Sequence, residues 1–418
     1  MSGLLAIASF SEDAPVGRRA LYALRALEHR GGSRAVACFA TEKGIECSSG
    51  ESVRALSVSP GARAVVAAVY SSPSDCSVTR IEAGGEEAIA LCSRPCPGAR
   101  RAIEEAVSEA LRGRNPVIDT EIPSFVALTS SGSIVAVRDS AGLTPLSVGG
   151  LGFDAAVIAS ETPAIEVSGA SPRDWLRPGE GVVVSRHLAK RVEVRGAARR
   201  GHALCSFELL YIARHDAIVD GVPVYSFRKM LGYELGRVAK LSSIDVVTGI
   251  PETAIPYAIG LSQAIGKPFE IGFVPTGGER IRAALQGDPL ARLVAIHMKM
   301  NPVAKALEGK SVALVDDSMV TGATAKTVSQ ILRYRVGVRE LHLFIASPPL
   351  VSDCPHGVLS YDRGSLLAAN MSARDAARYL EVDSLHWVDR SSLELAARVF
   401  GVPLCAKCFG IGVVGGSR

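Results

Sequence analysis

The chain has 418 residues, 48% of them hydrophobic, and a formal net charge of only +4. That length exceeds one ordinary core, so two domains are expected. The weak charge speaks against a nucleic-acid protein, which normally displays a strong basic patch, and no run approaches the roughly 20 apolar residues that a membrane helix needs.

The start, "MSGLLAIASF", has no basic n-region or small-residue cleavage site, and Glu12 and Asp13 follow. Nine cysteines in a chain of this size do not suggest a secreted disulfide framework. A soluble, cytoplasmic protein is expected. In chain order, residues 1 to about 195 read as short strands: "GLLAIASF", "RAVACFAT", "RAVVAAVY", "SFVALTSSGSIVAVRD" and "GVVVSRHL". Apolar residues at helical spacing predict a helix over "GRRALYALRALEHR" (17–30), capped at Gly31-Gly32, and a second over 100–111.

Near residue 200 the pattern changes. "IDVVTGI" (strand), "ETAIPYAIGLSQAIG" (helix) and "PFEIGFV" (strand) are followed later by "SVALVDD" (strand), "GATAKTVSQILRYR" (helix) and "RELHLFIAS" (strand). Strands alternating with helices predict a parallel sheet covered on both faces. No internal repeat or low-complexity linker is evident, and the charged stretch 191–202 marks the boundary between domains 1–197 and 198–418.

The most informative stretch is "SVALVDDSMVTGATAKTV" (311–328). In an open parallel sheet, ligands bind at the carboxyl ends of the strands, where Asp316 and Asp317 fall. The loop after them opens a helix, whose N-terminal N–H groups suit a phosphate. Ser318, Thr321, Gly322, Ala323 and Thr324 would wrap a monophosphate, while the carboxylates grip sugar hydroxyls directly or through Mg²⁺. No P-loop signature is present. A solvated strand end followed by a helix cap is the plainer alternative.

This segment resembles the 5-phosphoribosyl-1-diphosphate (PRPP) motif of type I phosphoribosyltransferases. The resemblance extends over nearly the whole chain. "ALCSFELLYIARHDAIVDG" (203–221), "MKMNPVAKALEGKSVALVDDSMVTGAT" (298–324), "SPPLVSDCPHG" (347–357) and "LCAKCFG" (404–410) look like the glutamine amidophosphoribosyltransferase (PRPP amidotransferase) family. "LYALRALEHRGG" (21–32), "AVRDSAGLTPLSVGGLG" (136–152), "VIASETPAIEVSGA" (157–170) and "LRPGEGVVV" (176–184) look like its glutaminase domain. The resemblance implies an α/β and α+β chain. An N-terminal nucleophile (Ntn) glutaminase-like αββα domain would precede a type I phosphoribosyltransferase parallel-sheet domain. It also implies PRPP as substrate, Mg²⁺, ammonia as the nitrogen donor, and a place in purine biosynthesis. Purine nucleotides are candidate effectors. The expected assembly is a homo-oligomer, or a hetero-oligomer with a glutamine-using paralogue.

Carried onto this chain, the family's pyrophosphate turn falls on Pro251-Glu252-Thr253, where Pro-Asp-Ser is more usual. Lys299 would pair with the phosphates. The family's flexible Lys-Asn-Arg-Tyr-x-Gly-Arg-Thr lid is replaced by "FVPTGGERIRAALQG" (273–287), in which Arg282 and Arg280 are the candidate catalytic cations.

The glutaminase half departs further. Ser2 stands at the Cys nucleophile position, Val69 replaces the Arg that clamps glutamine, and "ALCSRPCPG" (90–98) has no Asn-Gly for the oxyanion hole. His29-Arg30-Gly31 persists. An inactive glutaminase is expected, with Ser2 a degenerate nucleophile.

Cys205, Cys354, Cys405 and Cys408 occupy the positions that hold a [4Fe–4S] cluster in one branch of the family. A Cys₄ zinc site and unligated thiols are the alternatives. Cys38, Cys47, Cys76, Cys92 and Cys96 read as core or surface residues. Two rival functions stay open: a non-catalytic, PRPP-binding regulatory paralogue, and an N-terminal Ser hydrolase.

Overall fold

The computed structural model describes residues 2–11, 14–72, 78–95, 98–186, 188–196, 202–239, 243–275, 300–358 and 361–415. The chain forms two compact units. The first comprises Met1–Glu208, Ile212–Val222 and His356–Leu359, and the second Leu209–Tyr211, Pro223–Pro355 and Ser360–Arg418.

The first unit is built on two antiparallel sheets. One has seven strands in the order Ser171–Trp175, Ser147–Leu151, Ala155–Ala159, Ser2–Ser9, Ala64–Tyr70, Arg34–Thr41, Gly44–Gly50. The other has six, in the order Leu188–Glu193, Glu180–Ser185, Ile134–Val137, Phe125–Thr129, Glu86–Cys92, Val78–Ala83. The period-2 alternation of a strand explains the layering. Leu4, Ala6 and Ala8 pack with Leu91, Val126, Leu128 and Ile134 of the second sheet. Leu5 and Ile7, on the opposite face, pack against Ala20 and Leu24 of the helix Gly17–Arg25 and Ile165 of the helix Thr162–Val167. The helix Arg100–Leu111 covers the outer face of the second sheet with Ile103, Ala106, Val107 and Ala110. The result is the expected αββα sandwich.

Two local expectations are corrected. The helix expected over 17–30 ends as α-helix at Arg25, and Glu28–Arg30 form a 3₁₀ turn that carries Arg30 inward, where only 2% of it is exposed. Gly32 follows the turn at φ 114°, and Gly31 itself caps it, at φ −143°. It is needed for close approach, since a Cβ there would lie 2.5 Å from the Tyr70 backbone N. Cys38 is a core residue and Cys47 an exposed one, but no bond between them was expected. They lie directly opposite one another on adjacent antiparallel strands and form a disulfide.

The second unit holds a four-stranded, all-parallel sheet in the order Val246–Gly249, Ser311–Asp316, Glu340–Ile345, Ser384–Trp387. The helices Val224–Ala239 and Ile255–Ile265 cross with their backbones in contact. A Cβ on Gly232 would lie 2.0 Å from the Tyr257 carbonyl oxygen, and one on Gly260 2.0 Å from that of Lys229. The strand expected over 268–274 is interrupted: Phe269 forms a parallel bridge with Val247, and Phe273–Val274 pairs with Asn301–Pro302. The helix that starts at Ala323 continues beyond Gln330 as a π-helical stretch, Ile331–Val336, ended by Gly337 at φ 76°. Among the described residues no helix is long and apolar enough to cross a membrane.

Candidate functional site

The central strand Ser311–Asp316 lies between Val246–Gly249 and Glu340–Ile345, with Val315 beside Gly249 and Asp316 beside Ile345. Because the strands are parallel, the turn Pro251-Glu252-Thr253 and the segment Asp317–Thr324 leave the same edge of the sheet. Ile250 N–H donates to Val315 O (2.9 Å), which ties the start of that turn to the central strand. The Pro251–Glu252 peptide is cis, and Glu252 is exposed.

Asp316 and Asp317 are buried, at 9% and 7% exposure. Asp317 N–H donates to Asp316 Oδ1 (2.9 Å), and Ser318 Oγ donates to Asp317 Oδ2 (2.7 Å). Burial pushes the Asp317 carboxyl up to about 6, against the hydrogen bond from Ser318 and the pull of Arg228. Thr321 and Thr324 are exposed, and Thr321 Oγ1 accepts from Ala323 N–H (3.3 Å) at the start of the helix Ala323–Gln330. Gly322 precedes that helix at φ 75°, a left-handed conformation that favours glycine, and a Cβ there would lie 2.5 Å from Leu367 Cδ1. The sheet edge thus carries two inner carboxylates and an outer loop of hydroxyls and helix N–H groups. Carboxylate oxygens are hard donors that suit polyol hydroxyls or Mg²⁺, and helix N–H groups suit an anion. Arg280, Arg282 and Lys299 lie outside the described residues.

Sequence reasoning missed Arg228 and Tyr257. Arg228 lies on the helix Val224–Ala239 and is 1% exposed; its Nε donates to Leu209 O (2.8 Å). Tyr257 is fully buried and its hydroxyl donates to Leu210 O (2.8 Å). The available signal was an arginine on an otherwise apolar stripe, among Val224, Phe227, Leu231 and Leu235.

In the first unit, Ser2 is 4% exposed and its hydroxyl donates to Ser93 O. Arg30 Nε donates to Ser2 O (2.9 Å), and the same guanidinium bridges Glu161 (2.6 Å) and Glu208 (2.6 and 2.8 Å). His29 Nε2 lies 2.7 Å from Glu161 Oε1, and Arg214 N–H donates to Glu161 Oε2 (3.0 Å). Burial opposes ionisation of Glu161, yet His29 and Arg30 hold its carboxyl down to about 2. For Glu208 burial outweighs Arg30, and its carboxyl is pushed up. Val69, where the family clamp would stand, is fully buried among Leu5, Leu27 and Ala35. Its side chain offers no group to a carboxylate.

Cys205 belongs to the first unit and Cys354, Cys405 and Cys408 to the second. Burial raises the Cys405 thiol and pushes that of Cys408 up to about 12, with Cys354 close enough to add to both shifts. The Lys407 N–H donates to Cys405, and the Phe409 N–H to Cys408. Soft sulfur donors with N–H partners suit iron or zinc chemically. Even so, no group of three or more His, Cys, Asp or Glu among the described residues is arranged to hold a metal ion. Cys76 and Cys96 lie outside the described residues.

No family model matches the chain. Curated relatives do. The chain is 34% identical to the amidophosphoribosyltransferase of Bacillus subtilis (strain 168) over 286 residues, which is 68% of this chain and 59% of that protein. It is 34% identical to the amidophosphoribosyltransferase of Methanothermobacter thermautotrophicus over 285 residues, again 68% and 59%. The matched stretch therefore spans less than two thirds of the relatives' length. Among solved structures, the glutamine phosphoribosylpyrophosphate (PRPP) amidotransferase from B. subtilis complexed with ADP and GMP superposes with a TM-score of 0.80 at 24% identity, covering 97% of this chain and 96% of that one. By sequence the chain is a homologue of the amidophosphoribosyltransferases, and it has the fold of the PRPP amidotransferase.

Proposed function

We propose that the chain is an amidophosphoribosyltransferase-like protein of purine biosynthesis that binds PRPP and forms 5-phosphoribosylamine from PRPP and ammonia. The observation that carries this reading is the buried pair Asp316 and Asp317, set on the same sheet edge as the 251–253 turn and directly before the Gly322 loop. Asp316 and Asp317 would accept hydrogen bonds from adjacent ribose hydroxyls. Ser318, Thr321, Gly322, Ala323 and Thr324 would hold the 5′-phosphate, and the Pro251-Glu252-Thr253 backbone the pyrophosphate. Mg²⁺, held with help from the two aspartates, would neutralise pyrophosphate charge when bound. Arg282 and Lys299 take the remaining phosphate charge in this reading. A C–N bond to ammonia forms as the C–O bond to pyrophosphate breaks, and the new ammonium group loses one proton.

Ammonia comes from solution or from a partner. The burial of Val69 and the engagement of the Ser2 hydroxyl with Ser93 O support loss of glutamine hydrolysis. The domains 1–197 and 198–418 carry the inactive glutaminase and the transferase respectively. A [4Fe–4S] cluster on Cys205, Cys354, Cys405 and Cys408, with zinc as the alternative, is part of the proposal. It is supported by the proximity of Cys354 to Cys405 and Cys408, and no catalytic step runs through it.

The test is pyrophosphate release from PRPP, first with ammonium and then with glutamine. Release with ammonium and none above background with glutamine is expected. The altered lid (273–287) favours a second reading, a regulatory paralogue paired with a glutamine-using enzyme. PRPP binding without release under either condition would select it.

A further inference from the structure

The hydroxyl loop after the acid pair is fastened by a later segment of the second unit. Leu367 N–H donates to Val320 O (2.8 Å). The Leu367 side chain also lies against Gly322, where a Cβ would fall 2.5 Å from Leu367 Cδ1 and 3.3 Å from Leu380 Cδ2. One buried residue thus holds the loop twice, by a backbone hydrogen bond and by an apolar contact.

The hydrogen bond has a directional consequence. A trans peptide is planar, and its C=O and N–H point to opposite sides. The cis bond of the described residues is Pro251–Glu252, so Val320–Thr321 is trans. With the Val320 oxygen turned toward Leu367, the Thr321 N–H is turned to the other side. If that peptide flipped, a carbonyl oxygen would take the place of the N–H, and an oxygen repels an anion where an N–H attracts it.

Leu367 is the first residue of the short helix Leu367–Asn370. An N–H at that position has no acceptor within its own helix, so it serves Val320. Asn370 ties down the turn that delivers it. The Asn370 amide nitrogen donates to Leu366 O (2.8 Å) and Arg363 O (3.0 Å), with Gly364 O at 3.3 Å.

We propose that Leu367 is a positioning residue for phosphate. Its N–H orients the Val320–Thr321 peptide so that the Thr321 N–H faces a bound phosphate group, and Asn370 holds Leu367 in place. Neither residue touches the ligand; both act through that peptide. This inference rests on the phosphate-holding role given to the loop above. Its consequence is a division of labour: the 363–370 segment governs affinity for the phosphate and leaves the choice of sugar hydroxyls to the acid pair.

The experiment is calorimetric titration of the full chain with ribose 5-phosphate and with 2-deoxyribose 5-phosphate. The proteins are wild type, Leu367→Ala, Leu367→Pro, Asn370→Ala and Asn370→Ser, each checked for folding by circular dichroism. Proline is tolerated at a first helical position, and Leu366 already has the extended backbone that a following proline requires, at φ −76° and ψ 114°. Leu367→Pro therefore removes the N–H and the side chain, whereas Leu367→Ala removes the side chain alone. Affinity for both ligands should be about tenfold or more lower in Leu367→Pro than in Leu367→Ala, the effect of misdirecting one hydrogen bond to a charged group. The preference for ribose over 2-deoxyribose should stay as in wild type. Asn370→Ala should weaken both ligands by a smaller common factor. Asn370→Ser should recover part of it, since a hydroxyl can still reach the carbonyl four residues back. Folded Leu367→Pro that binds as Leu367→Ala does, or a loss that differs between the two sugars, overturns the proposal. If Leu367→Pro does not fold, unchanged affinity in folded Asn370→Ala overturns it. Wild-type protein that binds neither ligand overturns the reading of the phosphate loop itself, which distinguishes the two failures.

Discussion

Arg138 and Asp220 lie 82 positions apart and form a two-pronged ion pair, with Nη1 to Oδ1 and Nη2 to Oδ2 both at 2.7 Å. Arg138 is 1% exposed and also donates to Leu176 O and Gly142 O, each at 2.8 Å. Asp220 sits at φ 50°, in a tight turn whose next residue, Gly221, lies against the Trp175 ring. The pair fastens the segment 212–222 to the sandwich. Asp220→Asn keeps a residue that tolerates the left-handed conformation but removes the charge. Leaving a buried guanidinium without its anion should cost about 3 kcal/mol, read by urea unfolding.

Gly260→Ala tests the helix crossing. In an open helix this change stabilises by about 1 kcal/mol. Here the new methyl would fall 2.0 Å from Lys229 O, so the helices must separate. A loss of about 3 kcal/mol or more is expected, read by urea unfolding.

Replacing both Asp316 and Asp317 by Asn should weaken PRPP binding markedly, since the hydroxyl grip and the attraction for metal go together. Calorimetry in the presence of Mg²⁺ reads this directly, and unchanged affinity would remove the basis for the proposed function.

Glu161 and Glu208 share one arginine yet are shifted in opposite directions. The Glu161 carboxyl is held at about 2, against 4.5 when unfolded, so its stabilisation is complete above pH 4.5 and is lost as pH falls toward 2. Glu208 is raised, so its contribution is present at low pH and is lost as pH rises through its folded value. Glu161→Gln should therefore flatten the acid limb of the stability curve, by up to about 3 kcal/mol between pH 4.5 and 2. Unfolding midpoints measured across that range check the sign, because Glu208→Gln should not flatten the limb.

The thiols make a compositional prediction. Anaerobically purified protein should be brown and contain about four irons per chain. Colourless protein with about one zinc per chain would select the zinc alternative. Cys408→Ser should reduce the metal content and loosen the segment after Leu404.

The acid pair, the hydroxyl loop and the alternation of strands and helices were legible in the sequence because each is contiguous. A buried strand, the turn after it and the helix it feeds obey local periodicity and local backbone preference, and those survive without knowledge of the fold. The same holds for the helix Arg100–Leu111, whose apolar stripe is complete within its own span. Other features depend on pieces of chain that meet only after packing. The Cys38–Cys47 bond needs the register of two strands, which no cysteine count reveals. The inward turn of Arg30 needs Glu161 and Glu208, which lie 131 and 178 residues away, to offset its burial. Arg228 and Tyr257 are ordinary helix residues until Gly232 and Gly260 let the two helix backbones touch. A buried charge is tolerable only where its partners converge, and convergence is a property of the tertiary structure.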